Sequence, residues 1–259
     1  MNITSLPIPL LRGSAIIIFA VGIFIVVVHA VLAALASQRS ALNHRMRVMA
    51  PLFVGAFLAV WLGVAIATGD GSNFPLSQID RRPISLAVGF GPMLVAMALL
   101  FSTKTMRALN SAMPPAWLIW AQTYRIAGLL FLYPFLYYGV LPAGFAVPAA
   151  VGDFLTGLVA PLVGFAVAKR RGYAFALAIA WNIFGILDLI VAPIAAVLSH
   201  AQVLALYPLA LVPLFVGPPL GILTHVFSLR NLATAVSSDV AGPESRRIVM
   251  GQEDLIKRF

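Results

Sequence analysis

Polar residues bracket seven apolar runs along the chain: Ser14–Ala36, Val48–Thr68, Ile84–Ser102, Ala116–Leu141, Val147–Ala168, Tyr173–Leu198 and Val203–Phe227. Each reaches or approaches the ~20 residues that an α-helix needs to cross the hydrocarbon core of a bilayer. Backbone against lipid has no water to bond with, so runs of this length predict helices. The expected fold is all-α, a polytopic integral membrane bundle of about seven transmembrane helices over residues 1–227. A cytoplasmic tail, 228–259, follows; its basic and acidic residues alternate around Gly242-Pro243, a composition that predicts partial disorder. The connector Asp70–Pro83 reads as a turn-rich loop.

The connections between the runs set an orientation. Arg39, Arg45 and Arg47 lie in the first, Lys104 and Arg107 in the third, and Lys169, Arg170 and Arg171 in the fifth. Positive loops stay in the cytoplasm, so the N-terminus is expected outside and the C-terminus inside. The second connection balances Asp70 and Asp80 against Arg81 and Arg82, the fourth has no charge, and the sixth has only His200, which suits the outer side. Trp117, Trp120 and Tyr124 near one end of the fourth run, and Tyr133, Tyr137 and Tyr138 near the other, have the placement of interfacial anchors. Ala34-Leu35-Ala36 has the small-x-small form of a cleavage site, but the run before it is long for a signal peptide. The charges after it outnumber Arg12 before it, so a retained helix is expected.

Composition narrows the chemistry further. Of 259 residues 61% are hydrophobic and 10% charged, which excludes a water-soluble domain of ordinary make-up. The net charge of +9 comes from short basic clusters between apolar runs, where it orients helices and meets lipid headgroups, so the expected partner is the bilayer and no nucleic acid. Cysteine is absent, which removes disulfides, thiolate metal sites and cysteine nucleophiles.

A charge at membrane depth costs ~2.5–3.5 kcal/mol on insertion scales, so each must be neutralised, paired or turned toward water. Three fall inside the runs, Arg125, Asp153 and Asp188, accompanied by Gln122, Asn182, His29 and His225. At ~1.5 Å per residue Gln122, Arg125 and Asn182 share a level, and Asp188 lies about 9 Å further out. Asp153, entering from the opposite side, comes near the depth of Asp188, within reach of a long arginine. Asp153, Gly157, Ala160 and Gly164 form one helical stripe of small residues, and Asn182, Gly185 and Asp188 share a sector, so the polar faces are expected to converge. Pro161 and Pro193 free the carbonyls of Gly157 and Leu189, while Pro208, Pro213 and Gly217-Pro218-Pro219 are expected to break the last helix.

Several chemistries compete for these residues. Two acids against one base leave an excess acid that must be protonated or hold a cation, as a coupling site requires; a fixed, purely architectural ion pair is the alternative. His29 and His225 leave a bis-histidine haem or a metal geometrically open, although no further ligand pattern accompanies them and no cofactor is expected. The acids with Pro208-Leu209-Ala210-Leu211 bear on an intramembrane aspartyl protease, but Ala150-Val151-Gly152-Asp153 lacks the first glycine of a Gly-x-Gly-Asp signature and the motif order is wrong. A retinal Schiff base needs a lysine within the bundle, and Lys104, Lys169 and Lys257 all lie outside it.

Three motifs, Gln122-x-x-Arg125-x-x-Gly128, Leu141-Pro142-x-x-Phe145-Ala146-x-Pro148 leading to Gly152-Asp153, and Trp181-Asn182-x-x-Gly185-x-x-Asp188, carry a resemblance over about half of the chain. They resemble a family of uncharacterised bacterial seven-helix membrane proteins. The resemblance implies a bacterial inner-membrane location and a shared polar core, with no established activity to carry over. The expected function is a carrier or channel for a small solute or ion, proton- or sodium-linked through Asp188 and Asp153. Arg125 would set their charge state or meet an anionic substrate, and Gln122 and Asn182 would orient it. A haem-binding redox or sensory protein and a structural or assembly subunit are the rivals, and an enzyme is the less expected class.

Overall fold

Helices follow one another along the chain, and a computed structural model describes them over residues 8–70, 81–201 and 208–240. In order they are α1 (Ile8–Arg39), α2 (His44–Asp70), α3 (Arg81–Ser102), the short α4 (Lys104–Ser111), α5 (Pro115–Ala121), a 3-10 helix (Gln122–Phe131), α6 (Leu132–Tyr138), α7 (Ala143–Ala168), α8 (Ala174–Leu198), a π-helical turn (Val212–Val216) and α9 (Pro218–Val240). No strand occurs among the described residues. Six helical stretches are long and apolar enough to cross a membrane: 16–39, 44–69, 84–102, 143–168, 174–198 and 212–235. Residues 71–80 of the expected outer connector, 202–207, and residues 241–259 of the expected tail lie outside the described residues.

The run Ala116–Leu141, expected as one helix, is built as α5, the 3-10 helix and α6 in succession, so it is not among the six. The reason is legible in its period. A 3-10 helix repeats every three residues, so side chains at i and i+3 stand in file. Gln122, Arg125, Gly128 and Phe131 are three apart, and Gln122, Arg125 and Phe131 are buried. An α-helix would rotate each successive member away by about 60°. Gly139 ends α6 in a left-handed conformation (φ 59°) that a side chain resists, its N–H donating to Phe135 O at 3.1 Å.

Packing puts polar groups inside and apolar groups outside. Leu162, Val197 and Leu198 point outward and are at least 70% exposed, whereas Asn182 and His225 have no exposed surface. α7 lies between the 3-10 helix and α8, α8 packs on α9, and α1 pairs with α2. The small-residue stripe does what its spacing predicts. A Cβ at Gly157 would run into the backbone of Arg125 and Ile126, and one at Gly164 into the Trp120 indole, so glycine lets the two segments touch.

The expected break near the end of the chain is found at Gly217 (ψ −116°), between the π-helical turn and α9. Carbonyls freed inside a membrane-sized bundle need donors, and aromatic side chains supply them. Pro218 has no N–H for Leu214 O, and Trp61 Nε1 donates there at 3.1 Å while also reaching Val88 O at 2.9 Å. Tyr124 Oη donates to Val216 O at 3.0 Å. Trp61 therefore joins α2, α3 and the broken segment, with its ring edge-on to Phe215 at 5.2 Å. Replacing it with phenylalanine keeps an aromatic ring and leaves Leu214 O without its donor. Trp61→Phe is expected to cost about 1–2 kcal/mol in a denaturant titration of detergent-solubilised protein; an unchanged midpoint would show that the carbonyl has another partner.

α9 runs on to Val240, past the expected boundary at Phe227. Arg230 on this extension donates to Leu100 O at 3.3 Å, Arg107 donates to Phe101 O at 2.6 Å, and Arg39 lies 4.6 Å over the Trp117 ring. Cations from α1, α4 and α9 thus gather at one end of the bundle.

Candidate functional site

Arg125 stands at the centre of the buried polar groups because the 3-10 file turns it toward α7, α8 and α9 together. The residue is 3% exposed. Its Nε donates to Asp153 Oδ1 on α7 at 2.7 Å, and its Nη2 donates to Asp188 Oδ2 on α8. Nη1 donates to Gly185 O at 3.4 Å and to His225 Nε2 on α9 at 3.1 Å. One guanidinium therefore joins three helices to its own segment, using the fixed fork that a lysine lacks.

The hydrogen bonds also fix a tautomer. Arginine only donates, so His225 Nε2 accepts and the ring proton resides on Nδ1. That proton goes to Asn182 Oδ1 at 2.9 Å, and Asn182 Nδ2 donates to Ala178 O at 2.8 Å. The Trp181 indole lies 5.0 Å from the His225 ring and donates from Nε1 to Thr156 O at 3.1 Å. Gln122, one 3-10 turn before Arg125, donates to Gly221 O at 3.3 Å, and its Oε1 is buried without a partner among the described residues.

Glycines make this density possible. Gly128 lies against Asp153, Gly152 against the Asp188 carboxylate and Gly185 against the His225 ring; a Cβ at any of the three would collide. At Gly152 the colliding atoms would be those of the carboxylate that receives Arg125.

A cavity of about 40 Å³ borders the site. Its lining includes Tyr124, Arg125 and Asp153, together with Leu209, Val212 and Gly217 of the broken segment. A water needs ~10–15 Å³ of such space, so the cavity takes one to a few, within reach of Asp153. Asp188 does not line it.

The structure thus brings Arg125, Asp153, Asp188 and Asn182 into one network and places Gln122 on the adjoining level. His225 contacts Arg125 and Asn182 and belongs to this network. His29 faces elsewhere: Nδ1 donates to Ile25 O at 2.9 Å and Nε2 lies 3.4 Å from Thr224 Oγ1. The two histidines therefore turn their nitrogens to different partners. Among the described residues no group of three or more histidine, aspartate or glutamate side chains is arranged to hold a metal ion. Tyr124, Gly152 and Trp181 are members of the site that charge and polarity alone did not single out.

Residues 82–233, more than half of the chain, match the family model of a domain of unknown function, DUF8737. The chain belongs to this family. The DUF8737 region contains Gln122, Arg125, Asp153, Asn182, Asp188 and His225, whereas His29 lies before it. No curated protein and no solved structure matches the chain.

Proposed function

We propose that this protein is a proton-linked carrier or channel for a small solute. The observation that carries the reading is that Asp153 and Asp188 share the single guanidinium of Arg125 inside a bundle with an apolar exterior. With both acids ionised, the cluster would hold an uncompensated negative charge in a low-dielectric site, at a cost of several kcal/mol. A proton on one acid removes it. Sodium is the weaker candidate for the counter-charge, because a guanidinium already fills the ground between the carboxylates and would repel a second cation. Room for water beside Asp153 favours it as the acid that exchanges its proton, with Asp188 as the more fixed partner. Gln122, whose Oε1 has no partner among the described residues, and the Asn182–His225 pair would orient a solute or hold the guanidinium as the proton leaves.

In this reading Pro115–Tyr138 forms a seventh span. A 3-10 turn rises ~2.0 Å per residue against ~1.5 Å for the α-helix, so the composite segment extends about 40 Å, enough for a ~30 Å hydrocarbon core. The cationic end formed by Arg39, Arg107 and Arg230 would face the cytoplasm, placing the N-terminus outside, in a bacterial inner membrane. The lipid bilayer is then its standing partner, and residues 228–259 its cytoplasmic extension.

Liposomes loaded with a pH-sensitive dye test the function. A panel of small organic acids and amines is added outside, and solute-driven proton movement is read from the dye. Wild type is expected to respond to one chemical class and Asp153→Asn to none. Indistinguishable traces from wild type, Asp153→Asn and empty liposomes would contradict a carrier and favour an architectural ion pair.

A further inference from the structure

A second cavity, of about 90 Å³, lies between α1, α2, α3 and α9, apart from the Arg125 network and outside the part played by the proposed function. Its lining is apolar except for His29 and Thr224, and includes Phe53, Phe57, Ala96 and Leu99. Phe53 is 49% exposed on the outer surface of the bundle, so the cavity adjoins the side that lipid would cover.

Counting hydrogens singles out one atom in it. A carbonyl only accepts, so the 2.9 Å contact with Ile25 O places a proton on His29 Nδ1. Thr224 has one hydroxyl proton, which Leu220 O receives at 2.9 Å. The Thr224 oxygen 3.4 Å from His29 Nε2 thus supplies no donor while that bond stands. With the Thr224 proton on the shorter bond to Leu220 O, Nε2 is an acceptor at the edge of an apolar space that a second O–H can reach.

Water is a poor occupant. The volume would take several molecules, each needing ~2–4 polar partners, and the lining offers two polar side chains. A ring is a poor fit as well, since the volume falls below the ~150 Å³ of a cavity that takes benzene. A narrow chain ending in one hydroxyl satisfies both limits. We infer that the His29 cavity binds the hydroxyl head of a membrane-dissolved long-chain alcohol, which donates to His29 Nε2 while its chain leaves past Phe53 into the bilayer.

Photolabelling in lipid nanodiscs tests this. One probe is a hexadecanol with a diazirine close to the hydroxyl end, and the other is its methyl ether, which has the same chain and no O–H. Labelled peptides are located by mass spectrometry. In wild type the alcohol is expected to label peptides spanning 53–58 and 220–227 about fivefold more than the ether, the effect of one net hydrogen bond. His29→Phe lowers the alcohol to the level of the ether, Thr224→Val retains the preference, and Ala96→Phe, which fills the space, removes both labels. Equal labelling of wild type by alcohol and ether overturns the proposal, as does labelling that Ala96→Phe leaves unchanged; either result means ordinary lipid contact. The comparison of the two probes on wild type stands even if a variant fails to fold.

Discussion

Arg125→Leu is expected to lower stability by about 3–5 kcal/mol, the cost of leaving buried charge without its partner. The size follows from the number of groups that one side chain serves. Asp153, Asp188, Gly185 O and His225 Nε2 all take hydrogen bonds from this guanidinium, and leucine replaces none of them. Denaturant titration in micelles reads the loss. Combining Arg125→Leu with Asp153→Asn and Asp188→Asn removes the orphaned acids and is expected to recover more than half of it. A loss within about 0.5 kcal/mol for Arg125→Leu alone would mean that the acids have other counter-charges, because removing one member of a buried pair is ordinarily far more costly.

Gly152→Ala is expected to cost about 2–4 kcal/mol although it adds only a methyl group. That methyl would occupy the space of the Asp188 carboxylate, so either the acid turns away from Arg125 or α7 and α8 move apart. Gly63→Ala is the matching control. Nothing lies within 4 Å of its added Cβ, and helix propensity there favours alanine by about 0.5–1 kcal/mol. In an Asp188→Ala background the Gly152→Ala penalty is expected to fall to less than half, because the colliding atoms are gone. An equal penalty in both backgrounds would assign the effect to backbone packing and not to the carboxylate.

Much of the site was legible in the sequence because lipid makes polar residues conspicuous. Arg125, Asp153 and Asp188 stood out as charges in apolar runs, and helical spacing was enough to point Asp153 and Asp188 at a common interior. What escaped had other causes. His225 stood out only as a candidate haem or metal ligand, and its place beside Arg125 and Asn182 depends on how α9 packs on α8, which spacing within one helix does not give. The break at Gly217 itself was legible in Gly217-Pro218-Pro219. The 3-10 segment was written in the three-residue spacing of Gln122, Arg125, Gly128 and Phe131, a period close enough to 3.6 to pass as an α-helix over so short a run. The end of α9 was set at Phe227, where polarity rises. Leaving a membrane does not end a helix, and Leu229, Arg230, Leu232 and Ala233 all suit its continuation.

The glycines show a different limit. Spacing marked Gly157 and Gly164 as a packing stripe, since small residues at i and i+7 on one face have a recognised use. Gly128 and Gly152 serve the site by making room for particular carboxylates, and only the three-dimensional neighbours reveal that. Their role binds packing to chemistry: the backbones approach closely enough for one arginine to bridge two acids on two helices.

Infrared spectroscopy of the protein in lipid, across a pH series in heavy and light water, reads the protonation of Asp153 and Asp188 themselves. A protonated carboxylic acid has a C=O stretch separate from that of a carboxylate, and its band shifts on deuteration. Wild type is expected to show such a band from one buried acid at neutral pH, absent in Asp153→Asn and retained in variants away from the site. Spectra showing Asp153 and Asp188 both ionised, with no band that Asp153→Asn removes, would contradict proton linkage.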